Sequence, residues 1–324
     1  MWQFLKDAFS VIGLGVGLLA ITWGGTFWAF PEANLTGYTR FENATCHSLI
    51  CGTSVSAHGV APEFLNTTTE AGIWMNYSFT LKNSPWNEVY ARSIEEKLAC
   101  SVQQFPGQFF LLFVDPWNVR ESDRESMLED PELRPCSTSA VHYLLHHTDP
   151  LGLWKQVYSD PVVNWLGKPF GVYRPHIQIT PSGWIRAEPI PDESAIARRT
   201  KKKLNQYISL PDQDVWPDPA SEAALMRMID TMHSQYPHAT VVMVRPPVSP
   251  EFLALEEERY PDADQQFERW AQDKGVAYWN YSRAEGIDSK HFWDGHHLDE
   301  EGAKAFTSQL AQRIRRASED EKRH

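Results

Sequence analysis

The sequence predicts a three-layer α/β/α domain around a central parallel sheet, preceded by one membrane-spanning helix. Three observations carry that expectation. Residues 9–30 form an uncharged run; at about 1.5 Å per residue it reaches roughly 33 Å, enough for a bilayer core. After it, short apolar runs alternate with amphipathic stretches, as in repeated strand–helix units. The run at 109–114 is apolar throughout, as a strand is when helices cover both faces of its sheet.

Residues 1–31 are read as the anchor and 32–324 as one domain. Trp2, Trp23 and Trp28 lie near the ends of the uncharged run, where indoles prefer the membrane interface. The run ends in bulky residues, unlike the small residues of a signal-peptide cleavage site. Only Lys6 and Asp7 carry side-chain charge before it. A single span with the bulk of the chain after it places the domain outside the cytoplasm.

Residues 48–51 end at Gly52 and read as a buried strand. Residues 73–79 read as a second strand. Residues 85–100 read as a helix, Pro85 being tolerated in a first turn. The apolar run at 109–114 is the third strand. Residues 116–216 break the rhythm, being rich in Pro and Trp, and are read as an insertion between sheet strands. Within it 144–166 looks partly helical, and 177–187 suits a hairpin around Pro181, Ser182 and Gly183. An amphipathic helix at 221–236 precedes a strand at 241–244, stopped by Pro246. Helical pieces at 252–274 are broken by Pro261. A last strand at 276–281 precedes a last helix at 299–316, with Asp299 as N-cap and Ala303, Phe306, Leu310 and Ile314 on one face.

The 324 residues include 42% hydrophobic and 22% charged side chains, a globular composition. A formal net charge of −12 argues against nucleic acid held by bulk charge. Four cysteines do not make a disulfide scaffold. Cys46 and Cys51 share an extended stretch that keeps them apart, and a Cys100–Cys136 pair stays open. The run from Arg198 to Lys203 is the one basic cluster; it reads as a solvated helix face, with contact to an anionic lipid or polymer as the alternative.

Two motifs carry chemistry. Gly52-Thr53-Ser54 follows the first strand, so the Ser54 hydroxyl stands at the sheet edge where open α/β folds bind ligands. Gly52 leaves room for substrate against the backbone, and the turn N–H groups suit a developing oxyanion. Ser56 is the competitor. Late in the chain, Asp294 and His297 are three apart in a loop before the last helix. That spacing lets a carboxylate hold one ring nitrogen while the other faces a nucleophile. His296 is the alternative base, and Asp288 with His291 repeats the spacing. The histidines show no zinc pattern, so no metal or organic cofactor is expected.

Together, Gly52-Thr53-Ser54 with Gly59 and Pro62, the stretch at 76–80, and Asp294-x-x-His297-Leu298 resemble the SGNH (GDSL-like) hydrolase superfamily, especially its membrane-anchored branch. That branch acts in D-alanylation of teichoic acid and O-acetylation of alginate and similar polymers. The resemblance covers roughly residues 48–80 and 241–314. It implies a flavodoxin-like sheet, Ser54 as nucleophile, His297 as base and Asp294 as its orienting acid. The chain departs from the pattern by carrying Thr53 where the superfamily has Asp. No clean Gly follows Asn76, so the oxyanion amide falls to Asn118, Asn76 or Asn83. Asp115, if ionised, only accepts hydrogen bonds. Arg245, at a strand end, is placed to reach a substrate anion, or else to form an ion pair. The implied function is an outward-facing serine esterase or O-acyltransferase acting on acyl, chiefly acetyl, esters of envelope or extracellular polysaccharide. A membrane-bound O-acyltransferase-type protein is the implied partner. The alternative is a noncatalytic anchored binding or assembly protein that keeps the fold.

Overall fold

The computed structural model describes residues 17, 40–42, 44–121, 126–131, 133–136 and 177–321. The uncharged run at 9–30, except residue 17, and the helical reading of 144–166 lie outside the described residues. Among the described residues no helix is long and apolar enough to cross a membrane.

Five parallel strands form the central sheet: β1 (Ser48–Cys51), β2 (Trp74–Asn76), β3 (Phe109–Phe113), β6 (Thr240–Arg245) and β7 (Ala277–Asn280), in the order β2-β1-β3-β6-β7. Between β3 and β6 the chain forms a separate antiparallel hairpin of β4 (Ile177–Ile179) and β5 (Ile185–Ala187), as the Pro181-Ser182-Gly183 turn predicts. Leaving that hairpin aside, the chain order across the sheet reverses beside β1. In open α/β sheets a ligand is met outside the carboxyl ends of the strands at such a reversal, here β1 and β3.

Alternation explains the apolar strands. Phe109, Leu111 and Phe113 of β3 face one core with Ile50, Val242 and Val244. Phe110 and Leu112 face the other with Leu49, Cys51 and Met243. The first core is covered by α2 (Pro62–Thr68) and α8 (Glu300–Glu321), which supplies Ala303, Phe306, Leu310 and Ile314. The second is covered by α3 (Glu88–Ser101), α5 (Pro219–Gln235), α6 (Pro250–Arg259) and α7 (Ala263–Asp273). The central parallel sheet with helices on both faces is therefore a three-layer α/β arrangement.

Several boundaries differ from the sequence reading. β2 stops at Asn76 because the chain then leaves the sheet: Phe79 N–H donates to Ser84 Oγ at 3.0 Å rather than to a ladder. α3 begins at Glu88, since the Asn87 side chain accepts the Tyr90 N–H and caps it; Pro85 lies before the helix. Asp299 accepts the Gly302 N–H at 2.9 Å, the expected N-cap bond of α8. Cys100 and Cys136 form a disulfide, and Cys46 and Cys51 are buried free thiols.

Candidate active site

Ser54 is the first residue of a six-residue helix, α1 (Ser54–Gly59), entered directly from β1 through Gly52 and Thr53. The turn is pinned from below. Gly52 N–H donates to the Tyr90 hydroxyl at 2.8 Å, Tyr90 donates to Tyr77 O at 2.7 Å, and Ser84 Oγ donates to Gly52 O at 2.8 Å. A Cβ on Gly52 would fall 2.5 Å from Ser56 Oγ and 2.7 Å from Phe113 Cβ. The glycine is thus required by packing underneath the turn, and its N–H is already spent.

The second half of the site folds locally. Phe292 and Leu298 pair across a tight loop, closed by the Trp293 N–H to His297 O bond of 2.8 Å. The Asp294 carboxylate accepts the backbone N–H of His296 and His297 at 3.2 and 2.9 Å. That turn brings the His297 ring around, so its Nδ1 lies 3.0 Å from both Asp294 oxygens. Burial raises the Asp294 carboxyl, but the His297 ring and then Lys203 outweigh it and hold it well below the usual carboxylate range.

The two halves meet. Ser54 Oγ lies 2.8 Å from His297 Nε2, although 243 residues separate them in sequence. The line runs Ser54 hydroxyl to His297 Nε2, and His297 Nδ1–H to the Asp294 carboxylate. This geometry can take a proton from a hydroxyl as it attacks, and hold the resulting imidazolium against a carboxylate.

The competitors point elsewhere. Ser56 Oγ is buried, 2.9 Å from both Thr53 O and Ser78 Oγ. The His296 ring stacks on Phe252 with centroids 4.7 Å apart, and its Nδ1 lies 3.2 Å from the Tyr207 hydroxyl. Asp288 and His291 form a reciprocal cap around the short turn Ser289–His291.

The oxyanion candidates fare differently. Asn76 Nδ2 donates to Ser56 O and Val60 O at 2.9 and 3.2 Å. Asn118 Nδ2 donates to Phe113 O, and its Oδ1 accepts the Asp115 N–H. Both are fully buried braces of the loops. Asp115 Oδ1 in turn accepts the Trp117 and Asn118 N–H groups; burial, with Glu256 nearby, raises its carboxyl to about 6. Asn83 Oδ1 accepts the Met127 N–H, while its Nδ2 donates to no neighbour among the described residues. It precedes Ser84, which touches the Gly52 turn. Arg245 is 2% exposed, with Nη2 on Glu256 at 2.6 Å and Nε on Asp264 at 3.2 Å. The ion pair, the second of the two sequence readings for this residue, is the contact it makes.

The sequence reading named the basic run without placing it at the site, and missed a second neighbour altogether. The basic run lies in α4 (Glu193–Ile208), which packs on the Asp294 loop. Arg199 lies over the Trp293 ring at 4.1 Å, and a Cβ on Gly295, which has φ 76°, would fall 2.5 Å from Thr200. Arg198, Lys201 and Lys202 are exposed, as a solvated helix face requires. The hairpin lies beside α1, where Trp184 Nε1 donates to His58 O at 2.9 Å. The second neighbour is His58, whose ring centroid lies 4.7 Å from that of His297. Its signal was the four-residue spacing from Ser54, which shares a face once the segment is helical. Among the described residues no group of His, Cys, Asp and Glu is arranged to hold a metal ion.

No protein-family model matches the chain, and no curated protein does. The solved structures to which the chain shows a distant likeness include the following two. One, from Streptococcus pneumonia and described provisionally as a platelet activating factor, has a TM-score of 0.41 and 11% identity, covering 93% of this chain and 99% of its own. The other is an acetyl xylan esterase from the rumen bacterium Butyrivibrio proteoclasticus, with a TM-score of 0.33 and 8% identity, covering 85% of this chain and 64% of its own. Likeness at this level carries no functional argument; the side-chain geometry has to.

Proposed function

We propose that the chain is a serine hydrolase or O-acyltransferase acting on ester bonds. The observation that carries the reading is the hydrogen-bonded line from Ser54 Oγ through both nitrogens of His297 to Asp294. Ser54 Oγ attacks the ester carbonyl as its proton passes to His297 Nε2. The carbonyl electron pair becomes an oxyanion, which the Ser54 N–H in the unpaired first turn of α1 stabilises. Asn83 Nδ2 is the remaining amide for that task. His297 then protonates the leaving alcohol, and an acyl-enzyme remains. Water or a sugar hydroxyl then attacks the acyl carbon as its proton passes to His297 Nε2; the bond to Ser54 Oγ breaks, and His297 returns the proton to Oγ.

The finer reading rests on the resemblance to SGNH proteins and on the uncharged run at 9–30. It is an anchored, outward-facing enzyme of SGNH type acting on acetyl esters of envelope or extracellular polysaccharide, served by a membrane-bound O-acyltransferase-type partner. One observation favours the noncatalytic binding alternative: Asn76 and Asn118 are both spent on structure. Labelling with a serine-directed fluorophosphonate separates the two. Stoichiometric labelling of the wild type, abolished in Ser54→Ala, is the expected result. A folded wild-type chain that takes no label and cleaves no p-nitrophenyl acetate removes the enzyme reading.

A further inference from the structure

His58 has no part in the hydrogen-bonded line, yet it sits against it. It is four residues after Ser54 on α1, so both side chains leave the same face of the helix. Its ring lies 4.7 Å from the His297 ring at an interplanar angle of 39°, a tilted stack. Its backbone is held by the Trp184 indole, and the residue is 7% exposed. Nδ1 is sealed from solvent and makes no hydrogen bond among the described residues. A buried polar atom left unpaired costs about 1–3 kcal/mol, so this ring is maintained at some expense to stability. Phe or Leu would fill the same space without that penalty.

The ring is also held neutral. Burial comes first and the neighbouring His297 second, together taking His58 well below the ordinary imidazole range. A neutral aromatic face beside a group that becomes a cation in the transition state attracts that cation. The attraction is absent while the group is neutral, so it lowers the barrier rather than merely holding the ground state.

We propose that His58 is a positioning residue for the base: its neutral ring packs against His297 and stabilises the imidazolium formed when Ser54 gives up its proton. This rests on the hydrolase reading above. In the step concerned, the Ser54 Oγ–H bond breaks, the proton goes to His297 Nε2, and the Oγ electron pair forms the new bond to the acyl carbon. His58 neither gains nor loses a proton. Its contribution is the face it presents to the base.

The test compares three substitutions at this position by the second-order rate of fluorophosphonate labelling, with thermal melting to report folding. His58→Leu removes the aromatic face and keeps the space filled; labelling slows roughly three- to thirtyfold, the range of a cation–π attraction. His58→Phe restores a face and returns the rate to within about threefold of wild type. His58→Gln, polar and without a ring, slows labelling as Leu does, and stands in for Leu if that variant fails to fold. Equal rates for wild type, Leu and Gln overturn the proposal, as does a Phe variant as slow as Leu. A wild-type chain that takes no label overturns the hydrolase reading itself, which is a different result from label taken equally by every variant.

Discussion

At the residue scale the site depends on which way three rings and two hydroxyls point. Asp294 accepts two backbone N–H groups and the His297 ring, so its charge sets the turn and the tautomer together. Asp294→Asn keeps the shape but presents an amide to Nδ1. Acyl transfer is expected to fall by about three to four orders of magnitude, with the labelling stoichiometry of Ser54 unchanged at long times. His296 offers a contrast. Burial first, then His297, keeps it well below the ordinary imidazole value, and its Nε2 is buried without a partner. The folded state therefore resists a proton that the unfolded chain accepts below its pKa of about 6.5. The sign follows directly: the contribution of His296 is complete above that pH and is lost as pH falls, by up to about 1.4 kcal/mol per unit. His296→Phe is expected to keep ester cleavage within a few-fold. It should also flatten the fall of unfolding free energy between pH 7 and pH 5. Urea titrations at the two pH values measure it, and an unchanged slope would show that His296 titrates normally in the fold.

At the element scale the active loop is braced by a helix far from it in sequence. Gly295 has a positive φ and faces Thr200 of α4 with no room for a methyl group. Gly295→Ala is expected to cost about 1–3 kcal/mol and to lower acyl transfer, because the displaced loop carries both Asp294 and His297. Adding Thr200→Ala relieves the clash but not the backbone strain, so part of the loss returns. A double-mutant cycle with coupling near zero would show that the loop and α4 do not bear on each other. α8 starts on the other side of the same loop. Its cap, Asp299, is expected to contribute about 1 kcal/mol, read as a lowered denaturation midpoint in Asp299→Ala. α8 also buries Phe306, Leu310 and Ile314 against the sheet, in the same core as Leu298, the residue after His297.

At the scale of the whole molecule one covalent tie closes a long loop. The Cys100–Cys136 disulfide links the end of α3 to the chain 36 residues later, around β3. Closing a loop of that length restricts the unfolded chain, which corresponds to about 2–4 kcal/mol. Replacing both cysteines by serine is expected to lower the denaturation midpoint by that amount while leaving labelling of Ser54 intact, since Cys100 lies near the Cys46–Val102 bridge ahead of β1, and Ser54 follows the other end of that strand. Equal midpoints under non-reducing conditions would show that the bond does not constrain the molecule.

The sequence by itself determined whatever is local. Apolar residues at every position of 109–113 imply a strand covered on both faces, and the structure divides them between two cores. Asp294 and His297 are joined by a turn only three residues long, so their contact follows from spacing plus the carboxylate's appetite for the next N–H groups. Asp299 and the hairpin at Gly183 are equally short-range. Choices between neighbours were not legible in this way. Ser54 and Ser56 differ by two positions, and only the direction of α1 turns one hydroxyl to His297 and the other into Ser78. His296 and His297 are adjacent, yet Phe252 and Tyr207, brought in by α6 and α4, take the first ring away. Asn76 and Arg245 end strands and Asn118 lies in the loop after β3, all where a ligand could be met. Asn118 is spent within its own loop, on Phe113 O and the Asp115 N–H, whereas Asn76 and Arg245 are used on buried carbonyls and carboxylates that no reading of one segment reveals. Such partners come from elsewhere in the chain, and a buried polar group must find one. That obligation is met only in three dimensions, and so the structure, and not the order of residues, decided which candidates were left free at the site.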